Sequence, residues 1–181
     1  MYEVEIKIET DHGPVRDQLR KRGATETDHR TQIDTYYNAP HRDFAETDEA
    51  LRIRREKTAD SETNKVTYKG PLIEAESKTR LEHETIVADG NTLDQALQAL
   101  GFTPAATVEK ERTFYEIDGY TITLDSVSEL GEFVEIETEA EAAAIEAARE
   151  GATELLTTLG LDASEQIRTS YLGMLLEPDT K

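Results

Sequence analysis

The chain has 181 residues and no cysteine, so disulfides and thiolate metal sites are excluded, and the length fits one domain over residues 1–181 with its own core. Twenty Lys and Arg stand against 39 Asp and Glu, a net charge of −19 that repels nucleic acid and anionic lipid unless a local basic patch overrides it. No apolar run approaches the roughly 20 residues of a membrane span. Met1–Glu9 alternates charge with hydrophobe, unlike a signal peptide, so a soluble cytoplasmic protein is expected.

The elements follow from periodicity. A strand is predicted over Tyr2–Glu9, where apolar and charged residues alternate. A helix follows, with Pro14 in its first turn and Gly23 closing it. Strands are predicted at Thr31–Tyr37, at Ala50–Glu56, at Lys65–Lys69 between Asn64 and Gly70-Pro71, and at Thr79–Val87. Thr92 and Gln95 form a capping box for a helix over Leu93–Leu100, which Gly101 ends. Strands at Val108–Ile117 and Tyr120–Val127 are joined by the hairpin signal Asp118-Gly119, and another runs over Phe133–Thr138 after Gly131. Thr138 and Glu141 open an Ala/Glu-rich helix toward Gly160, in which Gly151 costs roughly 1 kcal/mol and invites a kink or break. A last helix is expected from about Ser164 to Leu176.

Eight strands at this spacing predict an α+β fold whose antiparallel sheet closes into a barrel and so removes its edges. One face of the strands is charged. Glu3, Glu5 and Lys7 share a face of the first strand, and Arg52 and Arg54 share one in the third. Lys69, Arg80, Glu82, Glu84, Lys110, Arg112, Asp125, Glu135 and Glu137 continue the pattern in later strands. These fourteen residues sum to zero, so the whole net charge of −19 lies elsewhere. A merely solvated face of this chain should be strongly acidic.

A balanced charged face turned inward makes a charged tunnel, with the apolar outer face covered by helices. Unpartnered charges there are prohibitive, so the tunnel is expected to take a ligand that uses both signs. A polyphosphate suits the Lys and Arg, and a divalent cation suits the clustered carboxylates. Oxygen donors without Cys or His point to Mg²⁺ or Mn²⁺, and anion with cation points to phosphoryl-transfer chemistry.

At these residues the chain resembles a known family. Glu3-Val4-Glu5-Ile6-Lys7 resembles the ExExK signature of the CYTH superfamily, the triphosphate tunnel metalloenzymes. Ala50-Leu51-Arg52-Ile53-Arg54, Thr67-Tyr68-Lys69-Gly70-Pro71, Arg80-Leu81-Glu82-His83-Glu84, Val108-Glu109-Lys110-Glu111-Arg112, Leu124-Asp125 and Leu130–Glu137 resemble its further motifs, in the family's order. Asp34–Tyr37 and Asp43–Arg52 look most like the class IV adenylyl cyclase branch.

The resemblance implies an eight-stranded tunnel, Mg²⁺ or Mn²⁺, and a triphosphate substrate. Adenylyl cyclase, converting ATP to cyclic AMP and pyrophosphate, is the leading activity. Hydrolysis of tripolyphosphate or thiamine triphosphate is the second, and a non-catalytic polyphosphate-binding module the third. It further implies Glu3, Glu5, Lys7 and Glu137 as catalytic, and Glu3, Glu5, Glu135 and Glu137 as metal ligands with Glu82, Glu84 and Asp125 in support. Lys7, Arg52, Arg54, Lys69, Lys110 and Arg112 should grip phosphate, with Arg80 either joining them or pairing with the acids. A homodimer is compatible with the resemblance. His12, His29 and His41 are expected in solvent, His83 on the outer face, and Tyr36 and Tyr37 divided between core and a stacking role.

The acids are spread along the chain while Lys is scarce, which fits life in high salt, although an acidic protein from ordinary salt has the same arithmetic. The two readings separate experimentally. A halophile's acidic shell repels itself least when the Debye length falls to about 3 Å at 1 M salt. Its melting temperature should climb steadily between about 0.1 and 2 M KCl, and a flat profile removes the high-salt reading.

Overall fold

The computed structural model describes residues 2–73 and 79–176. Its strands are β1 (Tyr2–Glu9), β2 (Thr25–Asn38), β3 (Ala50–Lys57), β4 (Glu62–Leu72), β5 (Arg80–Val87), β6 (Thr103–Ile117), β7 (Tyr120–Val127) and β8 (Gly131–Ala140). The helices are α1 (His12–Lys21), α2 (Gly90–Ala99), α3 (Ile145–Thr158) and α4 (Tyr171–Leu176). All strand pairs are antiparallel, and the sheet closes in the order β1-β5-β4-β3-β2-β6-β7-β8. Closure is uneven: β1 pairs with β8 along its whole length but with β5 only at Tyr2↔Leu81 and Glu3↔Arg80.

The alternation decides which way the sheet curls. The outward residues Ile6, Ile8, Tyr115, Ile122, Leu124, Val134 and Ile136 bury against Val15 and Leu19 of α1 and Ala152, Leu155 and Leu156 of α3. This cluster is the main hydrophobic core, and it lies outside the barrel wall. At roughly 25 cal/mol per Å² of apolar area, it is where the folding energy is concentrated. The helices leave part of the wall bare, for on β5 Leu81 and His83 are exposed.

The lumen is not charged throughout. At one end the inward positions become Tyr36, Val108, Val127 and Phe133, which pack with Tyr171 of α4. Ile167, Leu172, Met174 and Leu175 close over them. The helix expected from Ser164 to Leu176 is therefore broken. A 3₁₀ turn at Ala163–Glu165 is capped by Asp162, Ile167 N–H donates to Lys7 O at 2.8 Å, and only Tyr171–Leu176 is α-helical.

Other departures have local causes. Pairing of β2 with β6 extends β2 back to Thr25, beyond the reach of its apolar alternation. The capping box at Thr92 is not formed. Asp89 caps α2 instead, accepting from Asn91 N at 2.9 Å, Thr92 N at 3.0 Å and Thr92 Oγ1 at 2.9 Å. Thr138 stays in β8 and donates to Gly119 O, so it caps no helix. Helix α3 runs through Gly151 unbroken, and the glycine is required by close approach: a Cβ there would lie 2.1 Å from the Tyr120 hydroxyl, which donates to Ala148 O.

The Asp118-Gly119 turn forms as predicted, with φ of 52° and 81°, the left-handed pair that a tight hairpin requires. His12 is buried rather than solvated, with Nε2 3.0 Å from Phe133 O. Among the described residues no helix is long and apolar enough to cross a membrane.

The α2 cap yields a measurable contrast. Asp89→Ala strands two backbone N–H groups and should lower stability by about 1 kcal/mol in a urea titration. Gln95→Ala, which removes the other half of the unformed box, should be nearly neutral.

Candidate active site in the barrel lumen

A cavity of about 690 Å³ runs through the lumen and receives side chains from β1 to β6 and β8. Strand register sets its chemistry. Glu5 lies opposite Glu137 and Lys7 opposite Glu135 across the β1–β8 pair. Lys69 faces Glu82 across β4–β5, Arg112 faces Asp125 across β6–β7, and Asp34 faces Arg54 across β2–β3. Cross-strand neighbours sit roughly 5 Å apart at Cβ, so opposite charges meet wherever the sequence alternates them in phase.

Three carboxylates converge. One oxygen each from Glu3, Glu5 and Glu137 lies within 4.8 Å of the others. Removal from water pushes the Glu137 carboxyl up to about 8, with the charges of Glu3, Glu135 and Glu5 adding to the effect and Arg112 opposing it. Glu3 is raised by the same burial and by Glu82, against the pull of Lys69. The like charges gathered here raise one another's protonation, and a cation among them would relieve that repulsion. An all-carboxylate donor set is what Mg²⁺ or Mn²⁺ prefers, so these residues fit such an ion.

The remaining acids are held by bases. Asp125 accepts from Arg112 Nε at 2.6 Å, from Arg112 Nη2, from Lys110 at 3.0 Å and from the Tyr171 hydroxyl at 2.8 Å. Glu135 takes Arg112 and lies 3.2 Å from Lys7 Nζ. Asp34 is gripped by both Nε and Nη2 of Arg54, each at 2.7 Å, and by Arg52 at 3.3 Å, which hold its carboxyl well below the usual range despite burial. Lys69 bridges Glu3 and Glu82, while Glu84 takes Thr67 and Lys65. Burial and the adjacent Arg112 bring the Lys110 ammonium down to about 8, with Asp125 and Glu135 opposing the fall.

Every residue anticipated for the site faces or underlies this lumen, but they fall into distinct groups. Glu3, Glu5 and Glu137 form the converging cluster. Glu82 lies next to it, Glu135 and Asp125 are committed to Arg112 and its neighbours, and Glu84 turns to Lys65. Lys7, Arg52, Arg54, Lys69, Lys110 and Arg112 form the basic wall. Arg80 reaches the cavity, but its guanidinium is directed at Gly70 O (3.1 Å) and at Asp48 O (3.3 Å) and Oδ1 (3.5 Å), so among the described residues its acid partner is Asp48 rather than Glu3, Glu5 or Glu137.

Sequence reasoning missed several lumen residues. Arg30, Gln32 and Asp34 occupy inward positions of β2, and Glu56 and Lys65 prolong the inward rows of β3 and β4. Their signal was the same period-two alternation carried one step further. Each added base is matched by an added acid, so the lining stays balanced. Tyr171 had no such signal, since it enters from a short helix at the far end of the chain. Both tyrosines are buried: Tyr36 packs at the apolar end of the lumen, and Tyr37 donates to Asp94 of α2 at 2.6 Å.

The comparisons agree with this architecture. The CYTH domain model matches residues 1–171. A Methanocaldococcus jannaschii protein named as a candidate adenylate cyclase is 38% identical over 177 residues, covering 96% of this chain and 98% of its own. A Pyrococcus horikoshii structure superposes with a TM-score of 0.90 at 39% identity, covering 96% of this chain and 98% of its own. A Hippeastrum candidate adenylyl cyclase, described as having a dominant triphosphatase activity, shares the fold with a TM-score of 0.62 at 18% identity, over 88% of each chain. A closed antiparallel barrel with its charge turned inward and a family match over nearly its whole length make this chain a member of the CYTH family.

Proposed function

We propose that the protein is a divalent-cation-dependent enzyme acting on a triphosphate in the barrel lumen, with adenylyl cyclase its leading activity. The observation that carries this reading is the Glu3–Glu5–Glu137 cluster lying in the same enclosed cavity as a wall of Lys and Arg. In this reading Glu3, Glu5 and Glu137 hold the cation, with Glu82 beside them. A bound divalent cation neutralises phosphate charge and lowers the pKa of a coordinated hydroxyl or water.

The basic wall does the gripping. Lys7, Arg52, Lys69, Lys110 and Arg112 exchange carboxylate partners for phosphate oxygens, so they surrender no hydrogen bonding when substrate arrives. Lys69 has a further consequence. It is paired with Glu3, so a cation that takes Glu3 frees Lys69 for phosphate, and the two ligands should favour one another's binding. Arg54 is fixed through Nε and Nη2 by Asp34 and acts as a rigid positive support.

A nucleotide is favoured over a bare polyphosphate by the cavity's shape. The charged lumen continues to an apolar end lined by Tyr36, Phe44, Ala45, Leu172 and Leu176, a setting suited to a planar base. In a cyclase the ribose 3′ oxygen attacks the α-phosphorus, loses its proton and displaces pyrophosphate. The relative named as a candidate adenylate cyclase supports this assignment. Triphosphatase is the second reading: the grip is identical, and only the phosphorus that meets the nucleophile in line differs. A cytoplasmic location accords with ATP as the proposed substrate, and the acidic shell argues against nucleic acid as a partner.

Product analysis decides the chemistry. With Mg²⁺ or Mn²⁺, ATP should yield cyclic AMP and pyrophosphate, whereas release of inorganic phosphate from ATP or tripolyphosphate would assign a triphosphatase. Glu137→Ala should lower the rate by several powers of ten, and full activity in excess EDTA would refute cation dependence. Lys69→Ala or Arg52→Ala should weaken ATP and tripolyphosphate alike, by about tenfold or more, since charge-assisted hydrogen bonds contribute about 1.5–3 kcal/mol.

Protons report on the cluster separately. Glu137 is raised above its unfolded value, so the folded protein binds the extra proton between pH 4.5 and about 8. Cation-free stability should therefore fall as pH rises through that window and level off above it. Cation binding at pH 7 should release protons, seen as a buffer-dependent calorimetric enthalpy, and Glu137→Gln should reduce both effects.

A further inference from the structure

We propose that Tyr171 is a positioning residue for the phosphate grip, its ring serving as the platform that orients the ammonium groups of Lys7 and Lys110. The inference rests on the phosphate-binding reading of the lumen.

Tyr171 opens α4 and is buried in the lumen. Lys7 Nζ lies 3.6 Å from its ring centroid and Lys110 Nζ 4.9 Å from it. Phe133 meets the ring edge-on at a centroid distance of 5.0 Å, which fixes the ring plane. The hydroxyl donates to Asp125 Oδ2 at 2.8 Å. Burial and the charges of Glu135 and Asp125 keep it protonated well beyond its ordinary range, so it remains a donor.

The chemistry of the platform differs from that of the acids around it. A carboxylate that orients a lysine also neutralises it, and a phosphate must displace that carboxylate to bind. An aromatic face attracts the ammonium through its quadrupole, leaves the positive charge in place and does not compete for its N–H donors. Lys7 is also 3.2 Å from Glu135 and 3.8 Å from Glu5. Without the ring, both acids would draw its ammonium toward themselves. The hydroxyl acts in the same direction on Lys110. Asp125 Oδ2 is shared among Arg112, Lys110 and Tyr171, so each donor added loosens its hold on the others. Tyr171 thereby keeps two lysines aimed and charged at the end of the lumen that α4 closes.

The test measures tripolyphosphate binding by calorimetry at pH 7 and fixed salt in EDTA, for the parent protein, Tyr171→Phe, Tyr171→Leu and Tyr171→Met. Methionine guards against loss of fold, since it fills the volume without a ring. Melting temperature and circular dichroism identify any variant that does not fold, and the comparison uses those that do. Tyr171→Phe should bind within about threefold of the parent, and the ringless variants about tenfold or more weakly. In proton NMR the Lys7 ε-methylene should be shifted upfield by the ring in the parent and in Tyr171→Phe, and should return to ordinary values in Tyr171→Leu or Tyr171→Met.

Ringless variants that bind within threefold overturn the inference. So does a Tyr171→Phe defect equal to theirs, which would assign the effect to the hydroxyl, and so does an unshifted Lys7 methylene in the parent. The parent is measured both in EDTA and with Mg²⁺ added, and a parent that binds no tripolyphosphate under either condition overturns the phosphate-binding reading and this inference together. A parent that binds, with ringless variants that bind equally well, overturns this inference alone.

Discussion

Charge inside a closed sheet is the constraint on which this structure depends. A lumen narrow enough to be lined by facing strands excludes most bulk water, and isolated ions in such a place are prohibitively unfavourable. The chain meets the constraint with strand register: Lys7 against Glu135, Asp34 against Arg54, Lys69 against Glu82 and Arg112 against Asp125. Such pairs offset their own desolvation and contribute little beyond that. Stability must therefore come from elsewhere, and it comes from the outer face, where α1 and α3 bury the apolar positions of β1, β6, β7 and β8. The barrel is inside out relative to an ordinary one, with its charged side chains in the lumen and its main apolar cluster on the outer face.

The pairing also explains how such a site can be both folded and ready. Bases that already hold carboxylates lose little when phosphate oxygens replace those carboxylates. Within the lumen, Glu3, Glu5 and Glu137 converge as a local excess of acid among the described residues. That local excess is the exception to the pairing rule, and it is where a proton or a cation is needed. The raised Glu137 carboxyl expresses the same imbalance.

The two ends of the lumen are not equivalent. Tyr36, Val108, Val127 and Phe133 substitute apolar groups for charge on the inward positions at one end, and α4 seals them with Tyr171. The loop before β3 is tied down by Asp48, which accepts from Leu72 N at 2.8 Å and pairs with Arg80, and it brings Phe44 and Ala45 to the same cavity. The cavity thus grades from charged to apolar, and a ligand with a charged tail and a planar head matches that gradient.

How much of this was legible depends on the range of the interaction involved. Period-two alternation is local, so it located all eight strands and gave β1 and β7 their ends, and the in-phase charges within it located the anticipated lumen residues. The Asp118-Gly119 turn is equally local. The extent of β2 was not, because its first residues are held by pairing with β6 across more than eighty positions of sequence. Nor could alternation tell which of the seven anticipated acids converge, since the choice of Glu3, Glu5 and Glu137 depends on register between β1 and β8 at opposite ends of the chain. Tyr171 is the limiting case. Nothing in Ser170-Tyr171-Leu172 distinguishes it from helix packing, and it acquires a role only because the closed sheet leaves one open end for α4 to fill. Sequence determined which side chains share a face, because that follows from the geometry of an extended backbone. Tertiary structure decided which of them meet, because meeting requires closure of the sheet.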